Sequence, residues 1–119
     1  MLAALLAALV APVVLSASDI SGVWTLVLDP DFNGRPGQMR CAFTQDGQKL
    51  KAECGRDVPI YGEVHGQMMT LQMPQGDRED LAITMTGTID AAGMSIKGTW
   101  YLIAETGKDQ TGKFEARKE

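Results

Sequence analysis

His65, Met68, Met69 and Met73 bring an imidazole and three thioethers into one short stretch of chain. That donor set suits a soft ion such as Cu(I). On an extended strand, however, Met69 and Met73 share one face while Met68 points to the other. The donors therefore diverge, and core packing is the expected role of these adaptable side chains. His65 is also the only histidine, so a Ser-His-Asp or Cys-His device would have to use it. It stands beside Gly66 in a turn-like dipeptide, and no serine has nucleophile-elbow spacing. The neighbouring carboxylates Glu79 and Asp80 lie with Asp77 and Arg78, which reads as a solvated loop before it reads as acid–base machinery. No catalytic residue, metal ligand or cofactor is expected, and the protein is not expected to be an enzyme.

The elements that must position these residues are strands. From Ile20 onward the chain alternates with period two in eight runs: Ile20 to Leu28, Gly37 to Gln45, Lys49 to Arg56, Val58 to Val64, Gln67 to Met73, Leu81 to Ile89, Met94 to Ala104 and Gly112 to Arg117. Turn formers separate them, including Asn33-Gly34, Asp46-Gly47, His65-Gly66 and Asp90-Ala91-Ala92-Gly93. With Trp24 taken as inward, the same face collects Leu26, Leu28, Met39, Cys41, Phe43, Leu50, Ala52, Cys54, Ile60, Val64, Met69, Leu71, Met73, Ile83, Met85, Ile89, Met94, Ile96, Trp100, Leu102, Phe114 and Ala116. The opposite face is mainly polar, with Val23, Val27, Tyr101 and Ile103 as exceptions. Eight short antiparallel strands with one buried face each predict an all-β, eight-stranded up-and-down barrel. A two-sheet sandwich would need longer crossovers than these gaps provide.

The first eighteen residues carry no charge and hold an apolar stretch from Leu2 to Leu15, interrupted only by Pro12. The stretch is too short for a bilayer span but suits a signal-peptide core, with cleavage expected after Ala17 or Ser18. The domain is then residues 19–119, one barrel, expected to be exported, secreted or periplasmic, and monomeric. All 11 basic and 15 acidic residues follow the leader, and the net charge of −4 argues against nucleic-acid and anionic-membrane partners.

Two cysteines in an exported chain predict a disulfide between Cys41 and Cys54, the alternative being two buried thiols. Both face inward. If Asp46 to Lys49 form a four-residue loop, Gln45 pairs with Leu50 and Cys41 falls opposite Cys54. A two-residue turn at Asp46-Gly47 would instead set Cys41 opposite Ala52.

The interior mixes large rings with inward glycines at 62, 87 and 98. Missing side chains beside movable methionines could open a small apolar cavity, with Phe43, Ile60, Met69, Met85 and Trp100 as its walls. The competing expectation is a core filled by side chains alone.

Gly22-Val23-Trp24 heading the first strand, the eight-run meander and Phe114-Glu115-Ala116-Arg117 at the end together resemble the calycin superfamily of lipocalin-like barrels. "ISGVWTLVLD", "FTQDGQKLKAEC", "TGTIDAAGMSIKGTW" and "GKFEARKE" resemble the small secreted lipocalin-like domains of bacteria. The resemblance implies that Trp24 plugs one end of the barrel and that a basic residue of the last strand, Arg117 by position, lies across its ring. Because Arg117 is on the outward phase, it has to reach around the barrel end. "DISGVWTLVLD" also resembles the opening of the periplasmic barrel inhibitors of secreted metalloproteases. Those carry an N-terminal trunk and more widely spaced cysteines. The expected function is thus an exported, non-enzymatic barrel binding a small hydrophobic ligand. The alternative is a protein-interaction barrel with a packed core.

Overall fold

A computed structural model describes residues 19–31, 34–55, 60–75, 78–103 and 109–119. The expected signal peptide, Val58 and Ala104 lie outside them. Eight strands, β1 (Gly22–Asp29), β2 (Gly37–Asp46), β3 (Lys49–Glu53), β4 (Ile60–His65), β5 (Met68–Gln75), β6 (Arg78–Ile89), β7 (Ser95–Leu102) and β8 (Gln110–Lys118), form a closed antiparallel barrel. Each strand pairs with its neighbour in sequence, and β8 returns to β1 with Leu26 opposite Ala116. Closure leaves no free edge, which solves the pairing hazard of short amphipathic strands.

Register follows from the turns. Gly47-Gln48 and Gly66-Gln67 are two-residue hairpin turns flanked by the pairs Asp46↔Lys49 and His65↔Met68. Each glycine has φ +62 and each following glutamine a negative φ, the primed-turn pattern whose twist matches that of the strands. Both turns thus lie one residue later than Asp46-Gly47 and His65-Gly66. The Gln45↔Leu50 register expected for the longer loop is the one found, with Asp46↔Lys49 extending the ladder. Cys41 accordingly bonds Cys54. Between Pro74 and Gln75 the β5–β6 register shifts, where proline has no N–H to give the ladder. Glu79 and Asp80 fall inside β6, not in a loop.

One end of the barrel is sealed. Trp24 and Ile20 are fully buried, and the indole Nε1 donates to the Ile20 carbonyl at 2.9 Å. Ile20 N donates to Gln45 Oε1 and Gln45 N to Ser21 Oγ, so the chain ahead of β1 is tied across the opening. Phe43 stacks on Trp24 with ring centroids 5.7 Å apart. Gly22-Val23-Trp24 therefore builds the closed end.

Arg117 does not cover that tryptophan. It pairs with Thr25 in the β1–β8 register, which sets it on the outer face; its side chain is 78% exposed and binds Glu115 at 3.0 Å. The basic residue opposite Trp24 is Lys118. Its Cε lies 2.9 Å from where a Cβ on Gly22 would stand. A period of two admits only one of two adjacent basic residues to the inner phase, and closure selects Lys118.

Three further backbone bonds lace the sealed end: Val64 N to Gln48 O, Ile89 N to Gln67 O and Lys118 N to Met94 O. The β6–β7 loop is capped by Asp90, whose carboxylate accepts from Met94 N, Ser95 N and the Ser95 hydroxyl. That cap turns Met94 out of the strand. It is 50% exposed, contrary to its expected inward place.

Candidate functional site

The opposite end receives the β1–β2, β3–β4, β5–β6 and β7–β8 connections. Its inward side chains are Met39 on β2, Cys54 after β3, Met73 on β5 and Leu102 on β7. All four are half-buried and packed against the core. Leu28, Ile60 and Ile83 lie fully buried among them. They form an apolar rim because each is the last inward residue before a connection, where the neighbouring strands no longer cover it. Register links Met73↔Ile83↔Leu102 across three strands, and the Cys41–Cys54 disulfide ties β2 to the chain leaving β3.

Beneath the rim lies Trp100. Its Nε1 donates to Pro30 O at 2.8 Å, which binds the start of the β1–β2 connection to the indole. Thr111 Oγ1 donates to the Trp100 carbonyl at 2.8 Å and fixes β8 against the same residue.

All five expected wall residues are buried, but they do not line one chamber. Ile60 and Trp100 stand toward the end opposite Trp24 and Met85 midway, paired with Trp100. Phe43 belongs to the sealed end through its stack on Trp24. Met69 is next to it in height, one residue from the β4–β5 turn. The inward glycines expected to leave holes are occupied instead. A Cβ on Gly87 would lie 2.7 Å from Ile96 Cγ2 and 2.9 Å from Phe114 Cζ. Gly112, which is not among those glycines, is overlain by the Trp100 ring, whose Nε1 and Cε2 would overlap an added Cβ. At Gly62 and Gly98 the neighbouring strands approach so closely that the carbonyl oxygens of Thr70 and Thr86 occupy the Cβ position. Rings and backbone take up the volume that the glycines give away.

Among the described residues no polar or charged side chain is buried, and no buried side-chain polar atom lacks a partner. The described interior is apolar, its side-chain dipoles being the two indole N–H groups already bonded to Ile20 O and Pro30 O. Titration is perturbed at exposed surface staples. Backbone N–H bonds from Met94 and Ser95 hold the Asp90 carboxyl below its ordinary range. A hydrogen bond from Arg40 does the same for Glu119, and the hydrogen bond to Asp109 raises the Tyr101 phenol. The side chains of His65, Met68, Met69 and Met73 separate as alternation dictates: Met68 is 47% exposed and Met69 buried. His65 is exposed and bonds Glu63 at 2.8 Å.

The rim residues Met39, Met73 and Leu102 are assigned to the inner face by alternation, but nothing in their types distinguishes them from the buried core. Their distinguishing signal is position, since each is the inward residue closest to a connection at the same end. No family model, curated protein or solved structure matches the chain.

Proposed function

We propose that the protein is an exported, non-enzymatic lipocalin-like barrel that takes a small apolar ligand, or the apolar end of a larger one, at the end opposite Trp24. The observation that carries the reading is the half-buried rim of Met39, Met73 and Leu102 above buried Ile60 and Trp100, opposite an end sealed by Trp24. Partly buried apolar side chains at a barrel end can gain contacts from a guest, and methionines adapt to its shape. Phe114 and Trp100 fill the deeper volume, so the bound portion is short. Export is supported by the uncharged apolar leader and by the disulfide, which persists in an oxidising compartment. The "ISGVWTLVLD" opening and the eight-stranded topology support kinship with secreted bacterial lipocalin-like domains.

The filled interior itself favours a second reading, a packed barrel whose partner is another protein. Native mass spectrometry of protein purified from an exporting host separates the two. A reproducible adduct that leaves on denaturation, and is absent from Leu102→Glu, supports ligand binding at the rim. A bare chain, with no enhancement of a naphthylamine probe that Leu102→Glu abolishes, removes the ligand reading and leaves the protein partner.

A further inference from the structure

A separate hollow of about 400 Å³ lies on the outer wall, away from the barrel interior, lined by Tyr61, Gly62, Glu63, Thr70 and Gln72. Its construction follows from the sheet. Tyr61 pairs with Gln72 and Glu63 with Thr70, so two cross-strand pairs of outward side chains flank Gly62 and Leu71. Gly62 brings β4 against the Thr70 carbonyl of β5, an approach that any Cβ would block. The wall is dented there, with Gly62 at the floor.

Tyr61 is 57% exposed beside Lys51, Glu63, Thr70 and Gln72. Its hydroxyl, the Thr70 hydroxyl and the Gln72 amide make no side-chain hydrogen bond within the described residues, which leaves donors and acceptors free around one aromatic ring. Charge about the hollow is balanced. Lys49 and Lys51 pair across from Glu63 and Tyr61, Lys51 also meets Glu53 at 3.7 Å, and Glu63 binds His65. A neutral ligand is favoured over an anion or a cation. The hollow at Gly98, about 380 Å³, provides the contrast. Lys97, Lys113, Asp29 and Glu115 surround it, and Phe114, the ring beside it, is buried. It offers no stacking surface.

An exposed aromatic face beside an amide, a hydroxyl and a carboxylate matches one ligand chemistry. A pyranose presents an apolar C–H face to stack on a ring and equatorial hydroxyls that give and accept hydrogen bonds. We propose that the Tyr61–Gln72 hollow is a binding site for a neutral saccharide.

The test is titration of the 15N-labelled mature protein, disulfide intact, with maltotriose, cellotriose and chitotriose as separate probes. The expected result is a set of saturable amide shifts for at least one sugar, centred on residues 60–64 and 69–73. Tyr61→Ala should lower affinity about tenfold, Gln72→Ala should weaken it, and Tyr61→Phe should retain stacking. All three exposed-site variants keep the fold, which the same spectra verify. Absence of shifts at millimolar sugar for all three probes overturns the proposal. So do shifts that persist in Tyr61→Ala or that map to the Met39, Met73 and Leu102 rim.

Discussion

The filling of the Gly87 gap by the Phe114 ring can be tested as a coupling energy. Gly87 has no positive φ, so its backbone accepts alanine. Without steric conflict, Gly87→Ala would stabilise the protein by about 0.4–1 kcal/mol through the unfolded state. The added methyl, however, would stand 2.7 Å from Ile96 Cγ2, 2.9 Å from Phe114 Cζ and 3.1 Å from Lys97 O. Overpacking of that kind costs about 1–3 kcal/mol, and the carbonyl cannot move without disturbing the β6–β7 ladder. The expected net loss is about 1–2 kcal/mol, or roughly 4–8 °C per kcal/mol in a domain of this size. Phe114→Leu removes the atom in conflict while leaving Ile96 in place. In that background Gly87→Ala should cost less, with a coupling of about 1 kcal/mol across the double-mutant cycle. Urea unfolding of the four oxidised proteins, followed by tryptophan fluorescence, supplies the numbers. Additivity within about 0.5 kcal/mol would refute the claim that ring and glycine occupy one volume.

Reduction of the Cys41–Cys54 disulfide, which spans 13 positions, should lower stability by about 3 kcal/mol in the chain-entropy description. Comparing urea midpoints with and without reductant, beside the Cys41→Ala/Cys54→Ala variant, checks this; equal midpoints would contradict it. Trp24→Phe should cost about 2–4 kcal/mol, because it leaves the buried Ile20 carbonyl without its indole donor as well as removing volume. Thermal unfolding measures the loss, and a Tm unchanged within error would show that Trp24 does not seal the end. Asp90 is held below its ordinary range by backbone N–H bonds from Met94 and Ser95. A depressed folded pKa means that its contribution is present above the unfolded value of about 3.9 and disappears as pH falls through the folded one. Asp90→Asn should therefore flatten the acid limb of stability below about pH 4. An unchanged slope between wild type and variant would remove Asp90 from that limb.

The inner and outer faces, the number of strands and the choice of cysteine partner were set by the sequence itself. Alternation is a local property: Trp24, Leu26 and Leu28 share a face whatever lies opposite them. Even the exceptions obey it, since Val27 and Tyr101 are exposed where their phase sends them. Tertiary structure decided the rest. The one-residue placement of the Gly47-Gln48 turn decided between the two cysteine registers left open, giving Gln45↔Leu50 from a two-residue turn. Closure of β8 on β1 put Lys118, not Arg117, opposite Trp24. The Asp90 cap pulled Met94 from the wall. The inward glycines looked like holes in one dimension. In three, Phe114 from β8 fills the gap at Gly87, and the backbones of β5 and β6 close on those at Gly62 and Gly98. The physical reason is common to all of these. Alternation reports the direction of a side chain, whereas the volume it meets comes from strands distant in sequence, and only closing the barrel brings those together.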